Sequence, residues 1–197
     1  MSVKKLIDFF STFQIAPVEV ADVRDQIVES YNVTDDIIIM PVNVDPTMLR
    51  GLYFRYREKT GPYSNKSCSV VLYSGRLSLP WQRLVCAKEL IHILDESLFK
   101  TSTPEDVSTL VDKLVSRGRG TELGRSDVAA FKDHIALYQA LAVLVPEEIR
   151  EDVVKRYESG EMGTEEVADL FCIPLEYVLL VLSPDWPEIV KLLKDVD

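Results

Sequence analysis

The segment Lys88-Glu89-Leu90-Ile91-His92 has the residue types and spacing of a metal-binding catalytic helix, with one exception. In an H-E-x-x-H helix, two imidazoles one turn apart bind the metal, and the glutamate acts as general base for a metal-bound water. Here Glu89 is in the place of the base and His92 in the place of the second ligand, but Lys88 replaces the first ligand. A lysine ammonium has three donors and no lone pair. Whether the chain is an active enzyme or an inactive protein that retains an enzyme-like site depends on this position.

A metal site of this type needs a third protein ligand, usually a carboxylate on a second helix packed against the first. The strongest candidate for that helix is the segment from Asp133 to Pro146. The chain has two histidines, His92 and His134, and each lies in one of the two candidate helices. Their positions make the two segments the natural place to look for a site.

The predicted helices and strands that position these residues indicate an α+β fold, which is mostly helical and has a small antiparallel sheet. Leu49–Tyr56 and Cys68–Tyr73 have the composition of strands, and the turn-forming residues 58–66 between them predict a hairpin. The segment from Ile37 to Val42 is either a buried strand or a loop under the core. Pro80 suits the first turn of the helix that carries Lys88.

Helical periodicity covers most of the remaining chain. Apolar spacing predicts helices over residues 3–13 and 18–31, and a long helix capped by Ser126 or Asp127 and ending before Pro146. Short helices are predicted over residues 146–157, 164–171, 175–182 and 187–196.

Composition limits the classes of function. The net charge of −10 disfavours direct nucleic-acid binding, which needs a concentrated basic surface, and makes a neutral or basic protein partner more plausible. The three cysteines show no C-x-x-C spacing, so reduced thiols and a cytoplasmic location are expected. No signal peptide is apparent, and the longest apolar run is too short to span a membrane.

The two candidate helices together resemble the ImmA/IrrE family of zinc peptidases, over roughly Arg50 to Pro146. In that family a hairpin precedes a Q-R-F-x-x-A-H-E-x-x-H helix, and a helix of the type E-x-E-A-N-x-F-A-x-x-L-L-M-P follows. The similarity is carried by the hairpin and by Gly51, Gln82, Arg83, Ala87, Glu89, His92, Ala136, Ala140, Leu144 and Pro146. The resemblance implies a zincin-like core, here residues 1–146, and a helical C-terminal extension, residues 147–197, packed on it.

The resemblance also implies roles for individual residues. Glu89 takes the place of the general base, His92 that of the second zinc ligand and Asp133 that of the third. The departures all weaken such a site. Lys88 replaces the first ligand, Asp133 is one methylene shorter than the expected glutamate, and Leu137 cannot supply the polar contacts that orient ligands.

We therefore expect no bound metal or cofactor. Lys88 should lie where the metal would, paired with Asp133 or Glu89, because an unpaired buried charge is costly. In the family, the activity is zinc-dependent cleavage of a helix-turn-helix repressor that controls stress-response or mobile-element genes. This chain is expected to be a degenerate member, a pseudoenzyme that binds a protein partner such as a repressor and has a role in transcription regulation. An active zinc endopeptidase with an atypical metal site is the alternative, and a purely structural protein is a third hypothesis.

Four further patterns allow other interpretations. A rebuilt metal site could combine His92 with Asp133 or His134 and with Asp95 or Glu89, although residues 133 and 134 differ by about 100° in direction on a helix. Cys86 with His92 could form a thiol nucleophile, although six residues separate them. The segment 164–182 has the spacing of apolar and turn residues that is typical of a helix-turn-helix. Its second helix has no lysine or arginine, so a role in packing or in protein contact is the better interpretation. The basic, glycine-rich loop with Arg117, Arg119 and Arg125 is either solvated or a docking loop.

Overall fold

The computed structural model describes residues 3–61, 64–94 and 125–195, and within these ranges the fold is α+β, as predicted. Two helices come first, α1 (Lys4–Ser11) and α2 (Val20–Tyr31). The strands β1 (Asp36–Val42), β2 (Gly51–Gly61) and β3 (Ser64–Ser74) follow, and then the central helix α3 (Leu79–Ile91) with a 3₁₀ turn at His92–Leu94. The remaining helices are α4 (Arg125–Leu144), α5 (Glu147–Glu158), α6 (Thr164–Phe171), α7 (Val178–Leu182) and α8 (Trp186–Asp195).

The sheet is mixed, with the strand order β1-β3-β2. The predicted β2–β3 hairpin is confirmed, with Leu52 opposite Leu72 and Phe54 opposite Val70. The prediction of an antiparallel sheet is incomplete, because β1 pairs with β3 in parallel. The parallel pairing of β1 could not be predicted from neighbouring residues, because parallel strands are not joined by a short turn. The hairpin arms also run through much of the segment expected to be a loop, where Glu58 still pairs with Lys66.

Helix α3 lies at the centre of the fold, between the sheet and α4. Every residue from Arg83 to Ile91 is buried, so the helix is enclosed on all sides and its charged residues need partners within the protein. Arg83 has one, because it donates to a Glu19 carboxylate oxygen at 2.9 Å and to the carbonyl of Val18.

The helices after residue 146 follow the predicted boundaries closely. They pack on the rest of the core through fully buried residues such as Phe171 and Trp186. Arg150 joins two of these helices, since its guanidinium donates to the carbonyls of Val181 and, at 2.9 Å, Ser183. No helix in the described ranges is long and apolar enough to cross a membrane.

Two local predictions differ from the structure. The long helix is predicted to be capped by Ser126 or Asp127, but both residues lie within α4, which covers Arg125–Leu144. In the helix-turn-helix-like segment, a 3₁₀ turn at Leu175–Tyr177 leads into α7, which has only five residues and buries Val178 and Val181 in the core. Because so short a helix is used for packing, it does not have the form of a recognition helix.

Candidate functional site

Helix α3 presents its charged residues in two directions. Lys88 and His92 are four residues apart and therefore lie on one face, whereas Glu89 points about 100° away. Both Lys88 and Glu89 are buried, with 11% and 5% of their side chains exposed. The first face meets α4, which carries Asp133, and the second meets the start of β2. The helical spacing thus places three of the predicted site residues, and packing against α4 adds the fourth.

The Lys88 ammonium lies between two carboxylates. Its Nζ is 2.6 Å from Oδ1 of Asp133 and 3.0 Å from Oε1 of Glu89. His92 approaches the same Asp133 oxygen, with Nε2 at 3.5 Å. The predicted pairing of Lys88 with these carboxylates is confirmed, and both of them take part. We refer to Lys88, Glu89, His92 and Asp133 as the ion cluster.

The contacts within the ion cluster shift the pKa values of Lys88 and Asp133. Burial lowers the pKa of Lys88, but the neighbouring Glu89 and Asp133 charges outweigh that effect, and the net shift is upward. Burial raises the pKa of Asp133, but the hydrogen bond from His92 and the charge of Lys88 together hold it well below its usual range. Both shifts favour the charged forms, so the Lys88–Asp133 pair stays ionised at neutral pH.

A zinc ion does not fit this set of residues. Zinc needs lone pairs from three protein ligands at about 2.0–2.2 Å for nitrogen and oxygen donors. The Lys88 ammonium has no lone pair and already lies within hydrogen-bond distance of Asp133 and Glu89. In the described parts of the chain, no three His, Cys, Asp or Glu side chains group together as metal ligands. The position that a first zinc ligand would need is filled by an ammonium that is paired with two carboxylates.

The other candidate residues lie elsewhere. His134 is exposed and contacts Tyr138, with Nε2 at 3.3 Å from the phenol oxygen and the rings edge to face. This agrees with the helix geometry that turns residue 134 away from residue 133. Asp95, Arg117 and Arg119 lie outside the described residues, as does the side chain of Arg125.

Gly51 lies directly against Glu89, a contact that the sequence did not indicate although Gly51 is one of the residues that carry the resemblance. A Cβ atom at residue 51 would overlap Cγ1 of Val85 and approach Oε1 of Glu89 to 2.8 Å. The start of β2 can therefore lie directly against α3 only because residue 51 has no side chain. The start of β2 thereby contributes to the burial of Glu89, whose side chain is 5% exposed and whose Oε1 lies 3.0 Å from the Lys88 ammonium.

Cys86 is not a candidate nucleophile. Burial, with a smaller contribution from Glu89, raises the pKa of its thiol to about 12. Only the thiolate attacks, and at pH 8 a thiol with such a pKa is about one part in ten thousand ionised.

We expect Cys86 to resist alkylation by iodoacetamide at pH 8 in the folded protein, while the half-buried Cys172 reacts much faster. Mass spectrometry of peptides after timed quenching measures both rates. Denaturation in urea before alkylation is the control and should bring the two rates close together. Equal rates in the folded protein would contradict the burial of Cys86.

No protein-family model matches this chain, and no curated protein matches it closely enough to count as a relative. What the site does must therefore be inferred from its own residues.

Proposed function

We propose that this chain is a zincin-like, catalytically degenerate member of the ImmA/IrrE type, which acts in the cytoplasm as a protein-binding regulatory module. A helix-turn-helix repressor is the proposed partner, and control of stress-response or mobile-element genes is the proposed setting. The observation that carries this proposal is the Lys88 ammonium, held 2.6 Å from Asp133 and 3.0 Å from Glu89.

The ion cluster supports a non-catalytic role in two ways. Lys88 takes the place of a zinc ligand, so the site lacks the metal that would activate a water molecule. It also engages Glu89, the residue in the place of the general base. A general base must lie within hydrogen-bond reach of the proton that it takes, and Oε1 of Glu89 lies 3.0 Å from the Lys88 ammonium instead.

The surface chemistry supports a protein partner. With a net charge of −10, the chain is suited to a neutral or basic protein surface and unsuited to direct contact with a phosphate backbone. The three cysteines are free thiols, in keeping with a reducing compartment.

Zinc analysis of wild type and the variant Lys88→His tests the proposal. After incubation with zinc and removal of excess metal, mass spectrometry should find well below one zinc per wild-type chain and close to one in Lys88→His. The affinity of the variant should remain about 10- to 100-fold below that of a complete site, because Leu137 provides no polar contact for the ligands. Lys191→His is the matched control, since Lys191 is 72% exposed and the substitution adds a histidine away from the cluster.

A repressor encoded beside the gene is the partner to test. We expect binding by isothermal titration that is unchanged by EDTA, and no cleavage of the repressor on prolonged incubation. Stoichiometric zinc in the wild type, or cleavage that EDTA abolishes, would refute the proposal and assign peptidase activity instead.

A further inference from the structure

A groove lies between the N-terminal helix and the C-terminal extension, apart from the ion cluster. It has a volume of about 340 Å³ and is partly open to solvent. Its lining comes from Ser11 and Thr12 at the end of α1, from the first two turns of α5 and from α8. The volume is in the range of binding pockets, which is roughly 300–1,000 Å³, and the open side admits a group from another molecule.

The wall of the groove that α5 forms is acidic. Glu147, Glu148 and Glu151 line it at spacings of three and four residues, so they lie on neighbouring positions of one helix face. The first two are in the first turn of α5, where the helix dipole favours carboxylates. Glu151 is in the second turn, where the dipole is weak and a like charge three or four residues away is unfavourable. Helix stability therefore does not explain Glu151.

Two carboxylates on this wall lack a cation. Glu147 has one, because Nη1 of Arg150 donates to its Oε1 at 2.8 Å. Among the described residues, Glu148 accepts only from the neutral amide of Gln14, at 3.0 Å, and Glu151 has no hydrogen-bond or ion-pair partner. Both side chains are exposed at the groove, so their negative charges are available to a ligand.

The opposite wall, on α8, combines apolar side chains with lysines that have acidic partners of their own. Pro187 and Val190 supply the apolar contacts. Lys194 lies 2.7 Å from an Asp8 carboxylate oxygen, and the exposed Lys191 lies 3.7 Å from a carboxylate oxygen within α8. The lysines therefore add no excess of positive charge, and the net charge at the groove is negative.

We propose that this groove docks an arginine side chain of the partner protein. The unbalanced charge calls for a cation, and the apolar wall suits the methylene stem of a long basic side chain. A guanidinium has five N–H donors in a planar fork, so it can donate to Glu148 and Glu151 together. The proposal rests on the protein-binding function proposed above and specifies the chemistry of the partner.

Charge also decides against other occupants. A second copy of this chain would bring together two molecules that each have a net charge of −10, and these repel each other. An anionic ligand such as a phosphate chain is repelled in the same way. A basic surface of another protein is attracted, and the open side of the groove faces such a surface directly.

NMR titration of the ¹⁵N-labelled full chain tests this inference. The probe is the peptide acetyl-Ala-Ala-Arg-Ala-Ala-amide, added at low salt, where screening is weak. We expect saturable shifts confined to the backbone amides of residues 11–12, 147–151 and 187–194. The same peptide with citrulline in place of arginine keeps the shape and loses the charge. It should bind about tenfold more weakly, since two exposed ion pairs together contribute about that factor.

Variants of the protein assign the contacts. The double variant Glu148→Gln/Glu151→Gln should weaken binding of the arginine peptide about tenfold. Glu165→Gln/Asp169→Asn is the matched control, because it removes two exposed carboxylates four residues apart on α6, outside the groove, and should leave the affinity nearly unchanged. Val190→Phe fills the groove at constant charge and should also weaken binding. Thermal unfolding confirms that each variant is folded at the temperature of the titration.

The inference is overturned if the shifts spread over the whole surface, if the citrulline peptide binds as tightly, or if the control variant weakens binding as much as the groove variant. Sedimentation of the free chain as a dimer that Val190→Phe dissociates would assign the groove to a second copy and overturn it too. The proposed function is judged separately. A chain without zinc that binds the repressor but not the peptide keeps that function and loses this groove, whereas stoichiometric zinc refutes the function whatever the peptides show.

Discussion

Replacing Lys88 with methionine should lower the free energy of unfolding by about 3–5 kcal/mol, because it leaves the buried Glu89 carboxylate without its cation. Methionine fills a similar volume, so the loss comes from charge and not from a cavity. Only 5% of the Glu89 side chain is exposed, and water cannot take the place of the ammonium. Urea unfolding at pH 7 measures the effect as a fall in the midpoint concentration at an unchanged slope.

A surface lysine provides the control for this substitution. Lys66 forms an ion pair with Asp36 in which both side chains are about half exposed, so Lys66→Met should cost less than about 1 kcal/mol. The double variant Lys88→Met/Glu89→Leu should recover most of the loss, because apolar residues often replace a buried ion pair without cost. A Lys88→Met protein as stable as Lys66→Met would show that the cluster does not depend on this cation.

Replacing Gly51 with alanine should destabilise the protein by roughly 2–3 kcal/mol, because the added methyl group has no space. It would overlap Cγ1 of Val85 on the rigid helix α3 and lie 2.8 Å from the Glu89 oxygen that accepts from Lys88. The substitution therefore forces β2 away from α3 and disturbs the ion cluster together with the packing. Urea unfolding measures the total loss.

Two further variants separate overlap from a general effect of alanine. Gly75→Ala should change stability by no more than about 0.5 kcal/mol, because the nearest atom to its new Cβ would be a Pro41 carbon at 3.4 Å. Gly51→Ala combined with Val85→Ala should lose less than the sum of the two single effects, since the second substitution makes room for the first. Strict additivity, or a Gly51→Ala protein as stable as Gly75→Ala, would contradict the close approach of β2 to α3.

The local elements could be predicted well from the sequence. The end of α4 before Pro146, the short helices after it and the β2–β3 hairpin all follow from signals within a few residues, such as proline, turn formers and apolar period. Strand β1 could not be settled in this way. A uniformly apolar run fits a strand or a buried loop equally well, and its partner β3 lies some thirty residues further along the chain.

The candidate site could likewise be predicted only in part, from contacts between residues that are close in the sequence. Helical geometry alone places Lys88 and His92 on one face, and charge alone requires that a buried Lys88 have a carboxylate partner. The sequence could not decide whether that partner is Asp133 or Glu89. The structure brings both to the ammonium, because α3 is packed on one side by α4 and on the other by the start of β2.

The sequence by itself determined the α+β class, the helix that carries Lys88, Glu89 and His92, and the presence of an amine one turn before His92, because each is a property of residue type or of near neighbours. Only the tertiary structure decided how β1 joins the sheet and which groups surround the Lys88 ammonium, and it alone formed the groove between α1, α5 and α8. The physical reason is that these contacts join segments far apart in the chain, and their formation depends on how the whole core packs.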